Sequence, residues 1–277
     1  MENTYGSNAM NNKKQKFWFR ILTIGFVIYI ASLIAFASTG NPNLFPTIAL
    51  VGNFLVPVSF VAFFYERRNR FNVSLISTAL SFIVGGVLGT AAAAILEPYF
   101  ILQLNFKTSF IVGLIEESAK LVGVLLIAKR GSHTSGLDGI ILGAAAGMGF
   151  AALESTGYVF TNFLQSGGNL SEAVALTLIR GAIAPVGHGA WTAILASVIF
   201  SESGLRGYNL TGKVIGAFVT VVVLHGLWDG IPFVLNNFMP SLNSVLIGQL
   251  LVGLIGFIVL AYRWRAARKQ LRLANLI

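Results

Sequence analysis

With 277 residues, 55% of them apolar and only 10% charged, and a mean hydropathy of +0.77, the chain lies outside the composition of soluble globular domains. The absence of cysteine excludes disulfides, a thiol nucleophile and Cys-ligated zinc or iron–sulfur clusters. A formal charge of +9 would suit a nucleic-acid binder, but the basic residues are placed as membrane topology places them, so a lipid bilayer is expected as partner and nucleic acid is not.

Apolar stretches reaching the roughly 20 residues that cross the hydrocarbon run at about 17–37, 44–65, 72–96, 107–128, 137–164, 172–200, 212–235 and 242–262. The expected fold is all-α: a polytopic membrane protein of about eight transmembrane helices with a polar site inside the membrane. Segment one follows a basic leader and contains Ala35-Phe36-Ala37, which resembles the A-x-A site of a signal peptide; its apolar run is long for one, and a retained helix is expected. Gly40-Asn41-Pro42-Asn43 turns the chain into segment two, and segments two and three are read from hydropathy alone.

Segment four carries Glu116-Glu117-Ser118-Ala119-Lys120. On a helix Lys120 is i+4 from Glu116 and i+3 from Glu117, so one ammonium faces two carboxylates; one Glu pairs while the other stays available. A charge at the bilayer centre costs roughly 2.5 to 3.5 kcal/mol on insertion scales, which makes such residues functional candidates. The plainer alternative is a salt bridge that only tethers helices.

Segment five has small residues at Gly143, Ala144, Ala145, Ala146, Gly147 and Gly149, then Phe150 and Glu154 one turn apart. Small residues let helices approach closely in lipid, so Glu154 is expected at a tight helix contact, with Phe150 shielding it. In segment six, Ala184-Pro185-Val186-Gly187-His188-Gly189 predicts a kink that presents His188 inward, and Arg180 two turns earlier either neutralises a carboxylate or snorkels outward. Segment seven places His225 and Asp229 one turn apart on one face, where an Asp can fix the tautomer of a His. Gly167-Gly168-Asn169 and Asn236-Asn237 mark the turns on either side of segments six and seven.

With the amino terminus inside, 16 of the 19 basic residues fall on the inner side; Lys107 lies outside, and Lys120 and Arg180 lie within spans. This asymmetry predicts a multi-pass protein of the plasma membrane with both termini cytoplasmic.

Carboxylates and histidines at a common depth suit the activation of water for hydrolysis, either by a Glu base or on a metal; the spacing does not separate the two. Proton- or ion-coupled transport and a non-catalytic scaffold are the readings from other classes. There is no H-E-x-x-H helix, no G-x-S-G serine in a span and no G-x-G-D motif, and Leu137-Asp138-Gly139 stands without the first motif of site-two proteases.

Glu116-Glu117-x-x-Lys120, Phe150-x-x-x-Glu154, His188 and His225-x-x-x-Asp229 resemble, in order and in the kind of segment that bears them, the PrsW family of intramembrane proteases, distant relatives of the CAAX prenyl endopeptidases. The resemblance covers roughly residues 113–230. It implies an eight-helix protease whose site opens towards one membrane face, with Glu116 as general base and Glu117 as its electrostatic partner beside Lys120. It also implies that His188 and His225 bind the water, a metal or the oxyanion. Glu154 stands where the prenyl branch has a His, and Asp229 where it has Asn. A divalent metal such as zinc, if present, is expected on Glu154, His188 and His225. The implied substrate is a membrane-anchored protein, and the family's anti-sigma-factor cleavage gives its class. The domain organisation then reads as a disordered cytoplasmic N-terminus at 1–16, one membrane domain at 17–262 with its catalytic core at about 107–235, and a basic cytoplasmic tail at 263–277.

Overall fold

A computed structural model describes residues 16–68, 73–128, 135–203 and 207–274. The amino terminus up to residue 15, where disorder is expected, lies outside the described residues, as do His133 and the basic loop residues Arg70, Lys129, Arg130 and Arg206. Among the described residues the helices are α1 (Phe17–Thr39), α2 (Phe45–Tyr65), α3 (Leu75–Phe100), α4 (Ser109–Ile127), α5 (Gly136–Gln165), α6 (Leu170–Ile183), α7 (His188–Ser201), α8 (Gly212–Leu235) and α9 (Ser241–Ala274).

Local chemistry sets their ends. The side chains of Ser74, Ser135, Asn169 and Thr211 each accept a first-turn backbone N–H, which satisfies donors that the helix itself leaves unpaired. Gly40 closes α1 at a φ of 61°, a left-handed turn that glycine adopts without steric cost. The sixth predicted segment is two helices rather than one kinked helix. Pro185 lacks the N–H that would continue the ladder, the chain makes a 3₁₀ turn at Ala184–Val186, and α7 starts afresh at His188.

Seven helical segments of the described chain, α6 and α7 counted together, are long and apolar enough to cross a membrane. α4 has 19 residues, which span roughly 28 Å at 1.5 Å per residue. It differs from the others in burying Glu116, Glu117 and Lys120 while turning Leu114, Val122 and Leu126 outward. Ile24, Val27 and Ile34 of α1, Ile83 and Val87 of α3, and Leu254 and Ile258 of α9 are likewise exposed. That surface would be unfavourable in water and is at no cost against lipid tails. α9 continues without interruption to Ala274, so the basic residues from Arg263 to Arg272 are helical.

α5 is the axis of the bundle. Every residue from Gly136 to Ala152 is buried, with α3 on one side and α7 on the other. The small residues make this possible: a Cβ at Gly149 would collide with the Phe82 carbonyl oxygen of α3, and one at Gly147 with the carbonyl oxygen of His188. Backbone therefore meets backbone, and Glu154 leaves the seam at its far end. Gly147→Val is expected to destabilise the protein by about 1–3 kcal/mol through overpacking. Gly157→Val, where a Cβ meets open space, should be nearly neutral. Denaturation of the two variants in detergent compares them.

Candidate active site

α4 brings three charges onto its inner face within one turn. The Lys120 ammonium lies 3.0 Å from Glu116 Oε2, 2.9 Å from Glu117 Oε1 and 3.0 Å from His188 Nδ1. These three acceptors use all three of its N–H donors. It also sits 3.7 Å from the centroid of the Phe150 ring, whose face favours a desolvated cation. Phe150 is thus in contact with the lysine and, edge to face, with the His188 ring.

The two glutamates are not equivalent. Glu117 is fully buried: its Oε1 faces Lys120 and His225 Nδ1 (3.0 Å), and its Oε2 accepts from the Thr192 hydroxyl at 3.1 Å. Glu116 makes its short contacts through Oε2 and lines an open cleft. Lys120 pairs with both glutamates, where the sequence suggests that one pairs and the other stays available; what distinguishes them is that Glu116 also lines the cleft.

His225 and His188 come from different helices, with ring centroids 5.0 Å apart, and both pack on Trp191 of α7. Glu117 accepts the His225 Nδ1–H, which turns Nε2 towards Glu116 Oε2 at 3.5 Å and Asp229 Oδ2 at 3.4 Å. His188 accepts from Lys120 at Nδ1, so its proton is on Nε2, 3.2 Å from Glu154 Oε2. Arg180 holds that same Glu154 oxygen at 2.7 Å, donates to the Ser155 hydroxyl at 2.9 Å and stacks on Tyr158. Of the two roles considered for Arg180, it takes the neutralising one.

A cleft of about 510 Å³ opens beside Glu116 between α3, α4, α5 and α8, with Asp229, Glu154 and Tyr158 on its walls. Its rim includes Pro98, Ile101 and Leu104, at the α3–α4 connection. Glu97, near the end of α3, also faces this cleft, and its Oε1 is buried without a hydrogen-bond partner. Sequence reasoning missed Glu97 and Thr192. Glu97 lies one position beyond the apolar run assigned to segment three, and its signal is a lone acid before Pro98. For Thr192 the signal is its spacing, i+4 from His188 on one helix face.

Glu116, His188 and His225 each offer a ligand atom within 4.8 Å of the others, and all three are buried. This grouping differs by one member from the set expected from sequence: it takes Glu116, 3.9 Å from His188 Nδ1 and 3.5 Å from His225 Nε2, in place of Glu154, which lies 3.2 Å from His188 Nε2 and 2.7 Å from Arg180. Two imidazoles and a carboxylate form a donor set used in catalytic zinc sites. The site also gathers five carboxylates, those of Glu97, Glu116, Glu117, Glu154 and Asp229, against two permanent cations, Lys120 and Arg180. A dication would offset that surplus, and with the Lys120 ammonium withdrawn from His188 Nδ1 the three residues would fit a metal.

The same residues lie within a stretch that a family model recognises: the model described as PrsW family intramembrane metalloprotease matches residues 73–262. No curated protein and no solved structure matches the chain. The family match takes in α3 to α8 and the apolar part of α9, and with them every side chain of the site. Because it covers more than half of the sequence and includes the whole polar constellation, the chain belongs to the PrsW family of intramembrane metalloproteases.

Proposed function

We propose that this intramembrane protease makes a first, site-one-type cut in a membrane-anchored protein whose scissile bond enters the cleft beside Glu116. The observation that carries this reading is the division of labour between adjacent carboxylates, Glu117 sealed by Lys120, His225 and Thr192 and Glu116 open to the cleft. Glu116 keeps Oε2 on Lys120 and offers Oε1 to a water, taking its proton as the water oxygen bonds to the peptide carbonyl carbon. That proton then passes from Glu116 to the leaving nitrogen as the C–N bond breaks. His225, as an imidazolium with Nδ1–H on Glu117 and Nε2–H towards Asp229, would donate that Nε2–H to the oxygen of the reacting carbonyl. Glu154, clamped by Arg180, orients His188. In the metal-dependent form of the same site, Glu116, His188 and His225 would hold a divalent ion, zinc being the one we favour; it would lower the pKa of its bound water to about 7, and Glu116 would then serve as its ligand in place of the base.

The charge asymmetry supports a plasma-membrane protein with both termini cytoplasmic, which turns the α3–α4 connection and the cleft rim outward. An anti-sigma factor anchored in that membrane is the substrate class to test first, by the likeness to the family. The experiment compares membrane-protein fragments in cells bearing the wild type and cells bearing Glu116→Gln at equal expression, at rest and under envelope stress. A juxtamembrane fragment formed only with the wild type, and lost on chelation, is the expected result. The same fragments in both strains would overturn the assignment of Glu116.

A further inference from the structure

Away from the active site, an apolar groove of about 560 Å³ runs between α1, α2 and α9, lined by residues such as Leu22, Phe60, Phe257 and Leu260. Arg67, Arg268, Trp18 and Trp264 stand at its end on the basic side of the molecule. Trp264 and Arg268 also belong to an adjoining cup completed by Arg265, Lys269 and Arg272. None of the four cations of that cup forms an ion pair with an acid among the described residues, and the indole N–H of Trp18 is buried without an acceptor. An apolar trough that ends in the Arg268 guanidinium without an acid, in Arg67 with Glu66 only at 4.0 Å, and in an indole donor has the chemistry of one ligand class: hydrocarbon chains joined to an anionic head.

We infer that the groove is a binding site for an anionic phospholipid of the leaflet on the basic side, its acyl chains in the trough and its phosphate on Arg268 and Arg67. The groove has a second feature that ties it to catalysis. Pro185, in the turn that separates α6 from α7, forms part of its wall, three residues before His188. α9 presses on the same turn, where a Cβ at Gly253 would lie 2.8 Å from Val186 Cγ2. A lipid seated against Pro185 therefore buttresses the turn that sets His188, so its occupancy should raise the rate of peptide hydrolysis. That second consequence rests on the proteolytic reading; the binding itself does not.

Of the four tryptophans, Trp191 and Trp228 are buried and Trp18 and Trp264 line the groove, so quenching by brominated acyl chains reports on the groove. The purified full chain is reconstituted in phosphatidylcholine vesicles, and brominated phosphatidylglycerol or brominated phosphatidylcholine is titrated in at matched mole fraction. The expected result is quenching by phosphatidylglycerol at a severalfold lower mole fraction. Arg268→Gln should weaken that preference about fivefold, as the loss of one near-surface cation implies. Arg67→Gln should act in the same direction, with emission in unbrominated lipid unchanged as the sign of an intact fold. Equal quenching by the two lipids would reduce the groove to ordinary lipid contact and overturn the inference. A preference that survives both substitutions would overturn it too, by placing the anion elsewhere. Because the readout is binding, neither failure would touch the assignment of Glu116.

Discussion

Glu116→Gln should lower the rate of peptide hydrolysis by a factor on the order of 10³, within the range that positioned acid–base groups contribute, and leave the unfolding midpoint in detergent close to the wild type. The amide has the shape of the carboxylate and still offers an oxygen to Lys120, but it cannot take a proton from water. Its neighbour should behave in the opposite way. Glu117 gives one oxygen to Lys120 and His225 and the other to Thr192. In Glu117→Gln one of those positions becomes an NH₂, which cannot accept from its partner, and the fully buried site leaves no water to replace the lost bond. The loss of stability should be about 3 kcal/mol, as for breaking a buried ion pair. Two measurements on each variant separate the roles: kcat/KM on a cleaved single-span substrate, and denaturation in detergent. A Glu116→Gln enzyme that keeps most of its rate would remove Glu116 as the base. A Glu117→Gln protein as stable as the wild type would show that its three contacts do not hold the fold.

That contrast between two adjacent glutamates is half legible in the sequence. The i+3 and i+4 spacing to Lys120 says that the three groups share a face, and the cost of charge in lipid says that the face turns inward. What spacing cannot say is which glutamate the other helices seal. Thr192 of α7 and His225 of α8 decide it, and both contacts join residues far apart in the chain. The compact grouping of possible metal ligands differs from the expected one for a similar reason. Glu154 was the expected third ligand, yet Arg180, 26 positions away, captures it, and no pattern within segment five could show that. Pro185 was legible because the missing N–H acts locally, although it ends one helix and starts another where a kink was expected. Glu97 escaped because it sits where the hydropathy of α3 fades, three residues before the helix ends, and only folding turns it into the cleft. The fold itself was the most legible part, since helices that must satisfy their own hydrogen bonds in lipid are written as long apolar runs.

Lys120→Met should be the most destabilising single change in the site. Its ammonium is wholly buried and touches Glu116, Glu117, His188 and the Phe150 face. Methionine fills much of the same volume without strain, so the change tests charge rather than packing. Two carboxylates would then lie next to each other on one helix turn with no fixed cation between them, and breaking a buried pair in this way costs roughly 3–5 kcal/mol. Hydrolysis should fall to background as well, because Glu116 and His188 both lose the donor that fixes their orientation. Lys120→Arg should not restore activity: a planar guanidinium cannot point three donors in the three directions that these acceptors occupy. The decisive comparison is the double variant Lys120→Met with Glu117→Gln. If the stability loss comes from uncompensated charge, removing one carboxylate together with the ammonium should recover part of it, so that the double variant is more stable than the sum of the single effects implies. Strict additivity in the denaturation free energies would instead mean that Lys120 holds the bundle by packing on Phe150 and that its ion pairs contribute little.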